Sequence, residues 1–97
     1  MAYRLSVKAE EDIVRAYREG GRLFGAAQAE EYYAGLERVF QFLADTPEAA
    51  RERTEITPPV RIHPYKSHLI VYVIDAGNDV LILRFRHGRE DWENGPA

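Results

Sequence analysis

Cysteine is absent from the 97 residues. That removes disulfides and thiolate metal sites, and it fits a reducing compartment. Long apolar runs are absent too: no stretch approaches the ~20 residues needed to cross a bilayer. The start, MAYRLSVKAEED, lacks the apolar core of a secretory signal. A cytoplasmic protein without membrane association is the expectation. Glycine loops of the GxxxxGK[ST] kind, GxSxG elbows and HExxH ligand pairs are also missing. So is a strong net charge: 13 Lys and Arg against 16 Asp and Glu leave −3, which argues against a general nucleic-acid binder.

What is present suits a small globular fold. The length argues for one domain over 1–97, and an apolar content of 45% is ordinary for a packed core. The charge is unevenly spread. Residues 1–59 hold eight basic and eleven acidic side chains, and residues 90–97 add Glu90, Asp91 and Glu93. Between them, residues 60–89 hold Arg61, Lys66, Arg84, Arg86 and Arg89 against only Asp75 and Asp79. This basic stretch is either a solvated sheet face or a docking surface for an acidic partner or a phosphate backbone.

Tyr3 to Val7 alternates like a short strand. Ser6 suits an N-cap, and Glu10, Glu11 and Asp12 suit the positive end of a following helix. Ala9, Ile13, Ala16 and Tyr17 fall at helical spacing. This helix is expected from Lys8 to Phe24, running through Gly20-Gly21 at a cost of about 2 kcal/mol relative to alanine. Gly25 then links it to a second helix, Ala26 to Ala44. There Ala29, Tyr32, Tyr33, Leu36, Val39, Phe40 and Leu43 form a wide apolar stripe, read as core. The pair makes an antiparallel hairpin. Thr46 to Thr57 lacks periodicity and reads as a loop, and Pro58-Pro59 stiffens its exit.

Three strands follow. Val60 to His63 reads as an edge strand because prolines flank it. Tyr65-Lys66-Ser67 is a turn. His68 to Asp75 is apolar on both faces, as a central strand is. Ala76 to Asp79 is a hairpin turn, and Val80 to His87 is the last strand. Strict alternation along it puts Leu81, Leu83 and Phe85 on the face that meets the helices. Val80, Ile82, Arg84 and Arg86 then lie on a second, half-open face. The expected class is α+β, in the order β-α-α-β-β-β: an N-terminal strand and a helix hairpin packed on one face of a small antiparallel sheet.

The chemistry open to these residues is narrow. His63, His68 and His87 have no paired-ligand spacing, so no metal is expected, and nothing implies a cofactor. Ser6 and Ser67 are the only serines, one a cap and one in a turn. A cluster of Arg61, His63, His68, Arg84, His87 and Arg89 could bind RNA phosphate, with a histidine as acid or base. The alternative is that His87-Gly88 ends a strand and the arginines stay solvated.

Three stretches, YRLSVKAEEDI, FGAAQAEEYYAGLERVFQFLADTP and RIHPYKSHLIVYVID followed by VLILRFRHGREDW, resemble in this order the ParE branch of the RelE/ParE toxin superfamily. The resemblance covers nearly the whole chain. It implies the toxin of a type II toxin–antitoxin system, neutralised by a ParD-like antitoxin that wraps around it. The ParE branch poisons DNA gyrase, and the RelE branch cleaves mRNA on the ribosome. RelE-like nucleases carry basic residues on the middle strands and a catalytic tyrosine or histidine near the C-terminus. Here Leu69 stands where those nucleases place arginine, and Trp92 stands in place of a tyrosine. The gyrase reading is therefore preferred. It implies a target surface of Arg84, His87 and Arg89, with Arg61 second, and an antitoxin surface around Val80, Ile82, Arg84 and Arg86. The alternative is a ribosome-dependent endonuclease using His87, Arg89 and Arg61. A third reading is a binding module without toxicity.

Overall fold

A computed structural model describes residues 2–88; Arg89 and Trp92 lie outside the described residues. The elements run β1 (Tyr3–Leu5), α1 (Val7–Phe24), α2 (Ala26–Asp45), β2 (Glu52–Arg53), β3 (Val60–Tyr65), β4 (His68–Ile74) and β5 (Val80–His87), with a 3-10 turn at Pro47–Ala49. The five strands form one sheet in the order β1-β5-β4-β3-β2. The α+β class holds, with one correction to the pairing. β1 runs parallel to β5, Tyr3 opposite Val80 and Leu5 opposite Ile82, while the other pairs are antiparallel. The helix hairpin and the strands after it carry the chain across the sheet, so β5 returns beside β1 in the same direction. β2 is a two-residue strand inside the segment expected to be loop. It pairs only with Val60 and Arg61, so Pro64 has no β2 neighbour to which an N–H would be owed. No helix among the described residues is long and apolar enough to cross a membrane.

Ser6 joins the sheet to α1. Its hydroxyl oxygen accepts from Ala9 N–H (3.0 Å), and the same hydroxyl donates to the Leu83 carbonyl (2.8 Å). Its own N–H donates to the Ile82 carbonyl (2.9 Å). One residue therefore caps the helix and fixes its entry against β5. α1 does run through Gly20 and Gly21, and a Cβ at either would just touch Ala29 across the hairpin (4.0 Å). The turn between helices is the single residue Gly25, whose φ of 93° a side chain would disfavour.

The main core lies between the hairpin and the sheet. Ala9 and Ile13 of α1 and Leu36, Phe40 and Leu43 of α2 pack on Tyr65, Ile70, Tyr72, Val80, Ile82 and Phe85. A second cluster, Ile56, Val60, Ile62 and Val71, lies on the opposite face. There the 54–59 loop tucks Ile56 against the sheet, so that face is capped at one end by the chain itself. β4 supplies both clusters, Ile70 and Tyr72 to one and Val71 to the other, as its two-sided apolar run implied.

β5 departs from the expected alternation. Val71 pairs with Arg84 but the next β4 residue, Tyr72, pairs with Ile82, so Leu83 is the extra residue of a bulge. The bulge shifts the phase. Val80 and Ile82, expected on the half-open face, are fully buried under the helices with Phe85. Leu83 instead packs on the second cluster, and Leu81, between Val80 and Ile82, shares that side.

Gly35 on α2 answers to a close approach. A Cβ there would run into the Tyr65 hydroxyl, which donates to the Tyr32 carbonyl at 2.6 Å. Gly35→Ala should destabilise the fold by about 1–2 kcal/mol, overpacking outweighing the helix gain. Adding Tyr65→Phe should recover part of that loss in chemical denaturation. A double variant no more stable than the Gly35→Ala single would disprove the clash.

Candidate functional site

The start of β4 and the end of β5 are paired so that His68 faces His87, with ring centroids 5.4 Å apart. His68 stacks on Phe85 at 4.4 Å, nearly parallel. From α2, the Tyr32 hydroxyl meets His68 Nδ1 at 2.6 Å, and Ser67 Oγ lies 3.5 Å from the same nitrogen. The contact to Tyr32 holds in either protonation state: a phenol donates to a neutral imidazole, and an imidazolium N–H donates back. Burial pushes the Tyr32 phenol up, so it stays protonated at neutral pH. Lys66, in the β3–β4 turn with φ of 54°, holds its Nζ 5.3 Å from the Tyr32 ring centroid and 5.7 Å from that of Tyr65.

This corner opens into a groove of about 710 Å³ between the hairpin and the end of the sheet. Its far wall is apolar. Tyr17 and Tyr33 meet edge to face across the two helices at 6.1 Å, and Leu23 and Phe24 are 54% and 63% exposed at the hairpin tip. α1 buries only Ala9, Asp12 and Ile13, all in its first two turns. The tip of the hairpin therefore leaves its apolar stripe partly uncovered, and exposed apolar patches are where proteins commonly receive partners.

At the inner end sits a buried carboxylate. Asp12 is 5% exposed. Its Oδ2 accepts from Arg84 Nε (2.7 Å) and Phe85 N–H (3.0 Å), and its Oδ1 accepts from Arg84 Nη2 (3.1 Å). Burial would raise its pKa, but the bonds from Arg84 and Phe85 and the charges of Arg84 and Arg86 outweigh it. The carboxyl is held below its ordinary value. Pairing on β5 by β1 stops at Ile82, which leaves the Phe85 N–H facing α1, and Asp12 closes that edge.

The sequence-derived site residues scatter over this frame. His87 joins His68 at the groove mouth. Arg84, read as an open-face cation, is committed to Asp12, its side chain 16% exposed. Val80 and Ile82 are core and cannot belong to an exposed surface. Arg86 pairs in register with Leu69, on the side of the second cluster. Arg61 points to the α2 end of the sheet, where Nη1 donates to the Ala50 carbonyl (2.6 Å). It lies opposite Tyr72, four register positions from His68, or about 13 Å along the strands. The structure thus separates Arg61 from His87. His63 lies under Phe42 (6.0 Å), its Nδ1 buried without a hydrogen-bond partner among the described residues. Arg89 lies outside the described residues. No group of three or more metal-ligating side chains converges among those described.

Residues 3–92 match the family model described as the ParE toxin of the type II toxin–antitoxin system, parDE. The chain belongs to the ParE toxin family. A relative within it, the toxin ParE of Escherichia coli, is 31% identical over 90 residues, covering 93% of this chain and 87% of that protein. The fold matches a solved chromosomal ParDE toxin–antitoxin system from P. aeruginosa with a TM-score of 0.76 and 19% identity, over 90% of this chain and 95% of that one. Family membership makes the chain a toxin component of the type II class.

Asp12, Tyr32, Lys66 and Ser67 were not singled out from sequence as site residues. Asp12 had a signal that went unused: it falls three residues after Ala9 and beside Ile13, a carboxylate on the apolar side of the helix. Tyr32 lay inside a stripe read wholly as core, although it occupies the rim.

Proposed function

We propose that this toxin arrests growth by binding DNA gyrase, without a catalytic centre of its own, and that a ParD-like antitoxin neutralises it. The family match across residues 3–92 carries the toxin reading. The separation of Arg61 from His87 supports binding over mRNA cleavage, because it breaks up the arginine–histidine set on which the nuclease reading rests. For the gyrase contact the described candidates are Arg86 and His87 at the end of β5; Arg84 serves the fold. For the antitoxin, the uncovered stripe of Tyr17, Leu23, Phe24 and Tyr33 offers an apolar groove able to take an amphipathic segment.

Induction of the chain in a bacterial host, with and without its antitoxin, tests this together with supercoiling and cleavage assays on purified gyrase. The expected result is growth arrest relieved by the antitoxin, with gyrase-dependent DNA cleavage. Arg86→Ala combined with His87→Ala should lower that cleavage about tenfold or more, the loss of roughly 1.4 kcal/mol of binding, while circular dichroism stays native. Arrest with intact DNA and fragmented translated mRNA would replace gyrase by the ribosome as target.

A further inference from the structure

We propose that the corner formed by Lys66, Ser67, His68, His87 and Tyr32 is a binding site for a nucleotide phosphate, with the attached base lying along the aromatic wall of the groove. This goes beyond the gyrase reading and does not depend on it. Five side chains from the β3–β4 turn, β4, β5 and α2 converge here, and none is a carboxylate. The ammonium of Lys66 is held over the Tyr32 and Tyr65 rings, and the Tyr32 hydroxyl fixes the ring of His68 beside His87. Ammonium, imidazole and hydroxyl groups on one concave corner are the donor set that an oxyanion with several acceptors requires.

The charges around the corner agree. Among the described residues the groove lining includes two carboxylates, Asp12 and Glu19, besides Arg15. Asp12 is bound by Arg84 and approached by Arg15 (3.6 Å), and Glu19 is paired with Arg22. Neither is left to repel an anion. A phosphate alone would fill a small part of about 710 Å³. Beyond it run Tyr33 and Tyr17, both more than a third exposed, and ring faces of this kind take up bases without regard to sequence. A phosphate joined to a flat aromatic base matches both halves of the groove. Such a ligand is either a mononucleotide or one unit of a single strand.

The test is a titration of the isotopically labelled full chain by two-dimensional NMR with AMP and with adenosine, and of the same chain with a fluorescein-labelled single-stranded hexanucleotide by anisotropy. AMP should move the amides of residues 66–69 and 86–88, and adenosine should bind at least about tenfold more weakly. Lys66→Asn, chosen because asparagine tolerates a positive φ, and His87→Gln should each weaken AMP binding several-fold with spectra otherwise native. A hexanucleotide held at least about tenfold more tightly than AMP, and released by Tyr33→Ala, assigns the site to a strand. Equal affinities assign it to the mononucleotide. The proposal is overturned if AMP leaves these amides unmoved, if adenosine binds as well as AMP, or if neither Lys66→Asn nor His87→Gln alters binding.

Discussion

Asp12→Ala is expected to lower the stability of this fold by about 3 kcal/mol, the cost of removing one partner of a buried ion pair. That is a large share of the roughly 5–15 kcal/mol that holds a domain together. In a chain of this length it should lower the melting temperature by about 15 °C. Three donors lose their acceptor at once: Arg84 Nε, Arg84 Nη2 and the Phe85 N–H. Arg84→Ala should be similarly harmful, because it leaves the Asp12 carboxylate buried with one backbone N–H and only the long contact to the exposed Arg15 (3.6 Å). For this reason loss of toxicity in Arg84→Ala would report the fold and could not identify a target contact. Asp12→Leu combined with Arg84→Met should recover much of the loss, since an apolar pair of similar volume removes both charges. A double variant as unstable as the singles would mean that the geometry of the pair, beyond its charge, holds α1 to β5.

The same pair sets a pH dependence. Asp12 has a folded-state pKa below its unfolded value. Its contribution is therefore complete above the unfolded carboxylate value of about 3.9. It is lost as pH falls below that value and through the lower, folded one. The stability gap between the wild type and Asp12→Asn, measured by urea unfolding, should stay constant from pH 7 to about pH 5 and shrink below pH 4. A gap unchanged down to pH 3 would show that the carboxylate charge contributes nothing.

Ile82→Ala should cost about 3 kcal/mol, while Leu81→Ala, one residue away, should cost less than about 1 kcal/mol. Ile82 is fully buried beneath the hairpin, against Leu36 and Phe40 in the same cluster. Leu81 faces the other way and is only partly covered. Strict alternation along Val80–His87 predicts the opposite order of effects, so the pair of variants decides between the two registers. Chemical denaturation with an unchanged dependence on denaturant would give the comparison directly. Equal losses would mean that the bulge at Leu83 is absent.

Much of the architecture could be read without coordinates. The start of α1 at Ser6, its passage through Gly20 and Gly21, the one-residue link at Gly25 and the stripe on α2 all follow from local rules. These are capping chemistry and 3.6-residue periodicity acting over neighbouring positions. The central place of β4 follows from its apolar residues at consecutive positions. Less of the candidate site was legible. His87 stands out as a residue, but it reaches α2 only through His68, whose partner Tyr32 lies 36 positions before it and carries only the signature of a core tyrosine.

The amino-acid order by itself determined both helices and every strand but the two-residue β2, where the helices cap and turn, and that the chain belongs with the ParE toxins. Those features depend on spacing within a few turns or residues, and family resemblance depends on their order. Tertiary structure alone decided three things: the parallel placement of β1 on β5, the face presented by Val80 and Ile82, and the meeting of Tyr32, His68 and His87. Each depends on pairing between distant segments. A single bulged residue exchanges the two faces of a strand, and its position is set by the register with β4 and by the cap that Ser6 places on the Leu83 carbonyl.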